Sequence, residues 1–220
     1  MDIEKYWNNK IIEWEDSMVK GKNVSLLERF ASYFRKPLAY RSDICLKLLS
    51  PHVKGKNVLE LGCGSGYFSF KLFEKARPKT ITGIDISEEA IKRASKIAED
   101  LYGNNNIFNF KTSDIIKPEL PSSNITIGLG LLDYLTREEI AALFSRIKTS
   151  YFLFTFAERK LSVFRFIHFI YMKSQQCPKH YYYRKSDIKE CYQTKFSGCQ
   201  FINHPKLSFG CIVHNLPQSK

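Results

Sequence analysis

The 220-residue sequence predicts an α/β sandwich: a seven-stranded, mostly parallel sheet with helices on both faces and an antiparallel hairpin at its C-terminal edge. Three observations predict it. From residue 57 onward, short β-branched apolar runs alternate with amphipathic segments of helical length, the pattern of a parallel sheet. Glycines at 62, 64 and 66 stand where the first strand gives way to a helix, so the backbone can turn there without a Cβ in the way. The last two strands, near 198–203 and 208–214, have no helix between them and so should pair antiparallel.

Residues 1–50 read as a helical cap preceding one structural unit over 51–220. Tyr6, Trp7, Ile11 and Trp14 recur at helical spacing, and Lys20-Gly21-Lys22-Asn23 makes a polar break. Pro37 is placed to open a further helix over Leu38–Leu49, with Pro51 beyond its end. Asn57–Leu61 is the first strand and 67–76 the helix after it. Thr80–Ile86 is a β-branched second strand, and Ser87 with Glu88 and Glu89 starts the next helix as an N-cap followed by acids. Gly103 ends that helix. Strands follow at Ile107–Thr112 and Asn124–Leu129. Thr136-Arg137-Glu138-Glu139 opens a helix by a capping-box pattern. Tyr151–Phe156 is the fifth strand, and helices are expected at Leu161–Lys173 and Ser186–Tyr192. If the terminal hairpin turns about Pro205, Cys199 and Cys211 become cross-strand partners.

Composition excludes several classes. Hydrophobic residues at 44% and charged residues at 25% rule out a disordered or fibrous chain. The formal charge of +12 suggests an anionic partner, but it is regional. Residues 151–220 hold eleven Lys or Arg against three acids, whereas residues 1–150 hold 23 against 19. The six cysteines show no C-x-x-C spacing, and the first residues show neither a basic region nor an apolar run. Reduced thiols and a cytoplasmic location are therefore expected. The apolar stretch 151–172 is broken by charges and should not span a membrane, although it is compatible with peripheral contact. Cys177, Cys191, Cys199, Cys211, His204 and His214 match no common zinc spacing, so no metal is expected.

The chemistry is concentrated in Val58-Leu59-Glu60-Leu61-Gly62-Cys63-Gly64-Ser65-Gly66. The run departs from the G-x-G-x-x-G of a dinucleotide site, and its leading acid suits an amino or cationic group better than a phosphate. Asp85, at the end of the second strand and 19 residues after Gly66, stands where a carboxylate can accept ribose hydroxyls. Ser113-Asp114 ends the third strand, placed to meet a base edge. Three strand ends thus offer acceptors to a nucleoside with a cationic tail.

These residues resemble the first motif and its companion acid in class I S-adenosylmethionine-dependent methyltransferases, a Rossmann-like family, especially those acting on small molecules. The resemblance covers roughly residues 38–160 by motif. It implies S-adenosyl-L-methionine as cofactor, with Glu60, Gly62 and Gly64 at its methionine end and Asp85 at the ribose. Ile86 would meet the adenine face, Asp114 the adenine amino group, and Leu129 would lie beneath the cofactor. The fourth-strand exit, Gly128 to Leu135, lacks the Asn/Asp-Pro-Pro-aromatic run and the Pro-Cys nucleophile of many nucleic-acid enzymes. It is similar instead to small-molecule O-methyltransferases, nearest the tetrapyrrole-type and surface-polysaccharide-cluster enzymes.

The expected activity is therefore methyl transfer to a small-molecule acceptor, anionic or lipid-linked, at oxygen. A general base would come from Asp133 or Tyr134, or more distantly His168 or His180. Arg165, His168 and Arg184 are the expected substrate contacts. The apolar helix at 161–173 reads either as core-packed or as a lid touching an amphiphilic acceptor. The N-terminal aromatics, with Tyr33 and Phe34, read either as packing or as a lid over the cofactor. Two rival readings remain: RNA methylation by the basic C-terminal third, and a cofactor-binding subunit without turnover.

Overall fold

In the computed structural model, which describes residues 3–19, 26–104, 106–117 and 119–218, the strands alternate with helices as the sequence predicts. The elements are α1 (Ile3–Val19), α2 (Leu26–Val53), β1 (Asn57–Leu61), α3 (Tyr67–Ala76), β2 (Thr80–Asp85), α4 (Glu88–Tyr102) and β3 (Phe108–Thr112). After them come β4 (Ile125–Gly128), α5 (Arg137–Arg146), β5 (Tyr151–Ala157), α6 (Val163–Ser174), α7 (Lys185–Tyr192), β6 (Gln200–Asn203) and β7 (Gly210–His214). The sheet order is β3-β2-β1-β4-β5-β7-β6. β1 to β5 pair in parallel, and β7 runs antiparallel to both β5 and β6. The strand order reverses between β1 and β4, so the crevice outside their carboxyl ends is the natural ligand site.

Side-chain alternation along the strands feeds a core on each face. Leu59, Leu61, Phe152, Phe154 and Phe156 join Phe144 of α5 and Ile188 and Tyr192 of α7 in one cluster. Val58, Ile81, Ile125, Ile127, Leu153 and Ile212 join Leu49 of α2 and Leu72 of α3 in the other. The capping signals hold. Ser87 Oγ accepts from Ala90 N–H, and Thr136 exchanges bonds with Glu139 in a capping box. Gly103 ends α4 at a φ of 70°.

Two expectations fail. Neither proline bounds a helix: α2 contains both Pro37 and Pro51 and continues past residue 50 to Val53. Cys45, Leu49 and Val53, one per turn, are fully buried, and this packing carries the helix through the hydrogen bond that Pro51 cannot make. The terminal hairpin is also out of the expected register, because Gln200 faces His214 and Asn203 faces Cys211. Pro205 opens a short 3-10 turn over Pro205–Leu207 instead of centring the hairpin. His204 Nδ1 accepts from Lys206 N–H at 3.2 Å to cap that turn, which displaces Cys199 from Cys211. The polar break at 20–23 lies outside the described residues, as do the side chains of Trp14, Tyr33 and Phe34.

Candidate active site

The glycine loop after β1 is held from β2. Gly62 N–H and Cys63 N–H both donate to Ile84 O, at 2.8 and 3.2 Å. Asp85 then uses both carboxylate oxygens on backbone: Oδ2 accepts from Gly64 N–H at 2.8 Å and Oδ1 from Ser87 N–H at 2.9 Å. One acid thus staples the glycine loop to the start of α4. Burial nonetheless raises its pKa, the backbone donors pulling it back. Glu60, fully enclosed in β1, accepts a short hydrogen bond from Ser69 Oγ. Burial pushes its carboxyl up to about 8, opposed by Ser69 and reinforced by the nearby Asp85.

The cradle needs its glycines. Gly62 has a φ of 69°, and a Cβ there would stand 3.1 Å from Leu131 Cδ1. Gly66, at 79°, begins α3, and its Cβ would meet Phe110 Cζ at 2.9 Å. Cys63 is a packing residue whose Sγ fills the space over Gly83. Leu129 packs toward the α2–α3 cluster, and the side chain lying on Gly62 is Leu131. Asp114 caps its own turn, with Oδ1 accepting from Ile116 N–H at 3.0 Å, and pairs with Lys117 at 3.6 Å. Ile86 is half-buried beside Asp85.

α1 closes over this region. Asn8 Oδ1 accepts from Ser87 Oγ at 2.9 Å, one residue beyond Ile86. Trp7 packs edge-on against Tyr134 at 4.9 Å, and Tyr6 is buried beside it. The N-terminal aromatics therefore pack and cover at once, spanning from the β2 exit to the β4 exit.

The β4 exit carries the second half of the site. Asp133 is buried in a 3-10 turn, its Oδ1 accepting from Ala157 N–H at 2.5 Å and its carbonyl from Tyr181 N–H at 2.7 Å. Burial pushes its carboxyl up to about 6, with Ala157 and the Arg41 guanidinium pulling the other way. Burial also holds the Tyr134 phenol well above its ordinary value, so this group can donate a proton but is not an anionic base. Beyond Tyr134, His180 lies at 5.7 Å, His168 at 4.9 Å from His180, and Tyr182 at 4.8 Å from His180. His168 Nδ1 and Tyr182 Oη share a hydrogen bond of 3.0 Å. Burial lowers both histidines, His168 to about 3 with help from His180 and Arg41, and His180 to about 4, so both are neutral at physiological pH. Arg165 lies over the Tyr182 ring at 5.4 Å. Arg184 does not join them: it is exposed at the start of α7, its N–H bonded to Asp187.

Sequence reasoning missed Arg41, and it grouped Tyr182 with Tyr181, Tyr183 and Arg184 as one acceptor-touching run without separating it from them. Arg41 projects from α2 to the β4 exit, where a Cβ on Gly130 would stand 2.8 Å from Nη1, and its Nε is buried with no hydrogen-bond partner among the described residues. Nothing local in the sequence ties residue 41 to residue 130. Tyr182 did carry a signal. The segment 180–183 is extended, with Tyr183 N–H bonded to Ala157 O, so Tyr181 and Tyr183 enter the core while His180 and Tyr182 face the site.

Parts of the chain are similar to known proteins. Residues 52–147 match the family model described as a methyltransferase domain. Wheat (Triticum aestivum) phosphoethanolamine N-methyltransferase 1 is 36% identical over 101 residues, 44% of this chain and 19% of the relative. Protein-lysine N-methyltransferase EFM4 of Saccharomyces cerevisiae is 35% identical over 79 residues, 35% of this chain and 34% of the relative. The chain thus spans between about a fifth and a third of the length of these curated relatives. Among solved structures, magnesium protoporphyrin IX methyltransferase from Synechocystis PCC 6803 with bound S-adenosylhomocysteine superimposes with a TM-score of 0.73. The match covers 96% of both chains at 18% identity.

Proposed function

We propose that the chain is a class I S-adenosylmethionine-dependent methyltransferase and that it methylates an oxygen of a small anionic acceptor held between the β4 exit and α6, a reading supported by the methyltransferase-domain match over residues 52–147. The observation that carries this reading is Arg41. Its guanidinium reaches the β4 exit, and its buried Nε–H has no partner among the described residues, so an acidic group on the acceptor would satisfy it. The neutral His168 and His180 nearby offer ring nitrogens that can hydrogen-bond an acceptor hydroxyl and position it, and Tyr182 orients His168.

On the other side, the positive-φ glycines let the loop turn tightly after β1, and the Glu60 and Asp85 carboxyl groups come from neighbouring parallel strands beside it. In this reading Glu60, Gly62 and Gly64 hold the methionine end, Asp85 the ribose, and Ile86 and Asp114 the adenine. Leu131 takes the place beneath the cofactor expected of Leu129. When bound, the sulfonium supplies an already activated methyl group, which leaves the protein mainly positioning and desolvation to perform. Two of the similar proteins are named for small molecules, phosphoethanolamine and magnesium protoporphyrin IX, which supports a small acceptor.

The test is labelled-methyl transfer to a panel of hydroxylated carboxylates and phosphate esters, with Arg41→Ala beside wild type. The variant should raise KM for the acceptor about 10- to 100-fold, the scale of a lost charge-assisted hydrogen bond, and leave S-adenosylhomocysteine affinity unchanged. An unaltered KM, or transfer confined to neutral acceptors, would sink the anionic assignment.

A further inference from the structure

α6 is amphipathic the wrong way round for a soluble helix. Its polar side chains Arg165 and His168 turn inward with Met172, whereas Val163, Phe166, Phe169 and Ile170 face outward. Exposure reaches 72% for Val163, 63% for Phe166 and 52% for both Phe169 and Ile170, and Leu161 just before the helix is 97% exposed. Phe166, Phe169, Ile170 and Lys173 follow at i, i+3, i+4 and i+7, so the apolar side chains form one stripe ending in a cation. A contiguous apolar surface of this kind marks an interaction site.

The surrounding charge selects the occupant. Residues 159–186 contain seven Lys or Arg and no Asp or Glu. Arg159 and Lys173 are exposed at the two ends of the stripe. A second copy seated on this face would set two such basic segments against each other. An anionic bilayer surface would instead accept the aromatic stripe between its acyl chains and the lysines and arginines among its headgroups. Among the described residues no helix is long and apolar enough to cross a membrane, so the contact would be peripheral.

We propose that α6, with Leu161, is an interfacial helix that docks the protein on anionic lipid membranes. This surface is separate from the methyl-transfer reading and stands whether or not the acceptor is as proposed.

The full chain would be sedimented with vesicles of phosphatidylcholine alone and of phosphatidylcholine mixed equally with phosphatidylglycerol. Binding is expected to the mixed vesicles only and to weaken as salt is raised. The double variant Phe166→Asp/Phe169→Asp should lower the bound fraction about tenfold or more, with S-adenosylhomocysteine affinity and melting temperature unchanged as the control for folding. A second control, Leu161→Ser, changes an exposed residue outside the helix and should weaken binding less. Three results would overturn the proposal: wild type left in solution with both vesicles, a double variant that binds like wild type, or wild type that ignores vesicles but forms a dimer or an RNA complex broken by the double variant.

Discussion

The two halves of the candidate site are built by opposite means. On the β1–β2 side the backbone does the work: three positive-φ glycines and one acid lock neighbouring loops with hydrogen bonds of 2.8 to 3.2 Å. On the β4–β5 side the site is assembled from side chains of distant segments: Trp7, Tyr134, His168, His180 and Tyr182 touch through ring edges and one shared hydrogen bond, and Arg41 reaches Gly130 from α2. A backbone-built half fixes one ligand shape. A side-chain-built half can be re-specified by single substitutions without disturbing the sheet. The first half suits an invariant cofactor and the second an acceptor.

The largest expected effect lies on the rigid half. Asp85→Ala would leave the Gly64 and Ser87 N–H groups without their acceptors, each worth about 1–3 kcal/mol when buried. It would also free the glycine loop from α4. Calorimetry should show S-adenosylmethionine affinity reduced about 100-fold or more, with Asp85→Asn, which keeps an acceptor oxygen, in between. Wild-type affinity in Asp85→Ala would mean that the loop is not held as described and that the contrast between the halves is false.

Trp7 tests whether the halves are independent. α1 touches one through Asn8 and Ser87 and the other through Trp7 and Tyr134. An edge-to-face pair contributes about 0.5–1.5 kcal/mol beyond its buried area. Trp7→Ala should therefore speed cofactor dissociation up to about tenfold and raise acceptor KM by a similar factor. A change in only one of the two, read by stopped-flow release and steady-state kinetics, would show that α1 serves a single half.

The same division governs what the sequence makes legible. Glu60, the three glycines and Asp85 form a local pattern, because a strand–turn–helix needs particular residues at fixed offsets and the next parallel strand brings its own acid alongside. Ser87 and the Thr136–Glu139 box were legible for the same reason: a cap is satisfied within four residues. Arg41 was not, since its partner surface at Gly130 lies 89 residues away and is defined only once α2 packs on the sheet. The extent of α2 and the hairpin register failed because each rested on a proline read as a boundary or a centre. In α2 burial on one face outweighs the missing hydrogen bond, and in the hairpin the ring starts the turn.

The smallest effect is also the sharpest contrast, because Glu60 on one side and the two histidines on the other respond to pH with opposite sign. Glu60 folds with its carboxyl raised from 4.5 to about 8, so the native state binds a proton that the unfolded chain releases. The stability tied to that proton is complete below about pH 4.5 and is lost as pH rises toward 8. His168 and His180 fold with their values lowered from 6.5 to about 3 and about 4. Their contribution is complete above about pH 6.5 and is lost as pH falls through those folded values. Glu60→Gln keeps an oxygen for Ser69 and should make the decline in melting temperature between pH 5 and 8 shallower, most of all above pH 6 where Asp133 no longer contributes, while leaving the acid limb intact. His168→Gln should do the reverse, making only the acid limb shallower, with His180 carrying the remainder. Bound S-adenosylmethionine should reduce the Glu60 slope as well, since an amino group beside the carboxylate favours its charged form. If Glu60→Gln and wild type melt in parallel from pH 5 to 8, Glu60 is ionised in the empty protein, and the methionine end meets a ready-made charge in place of one created on binding.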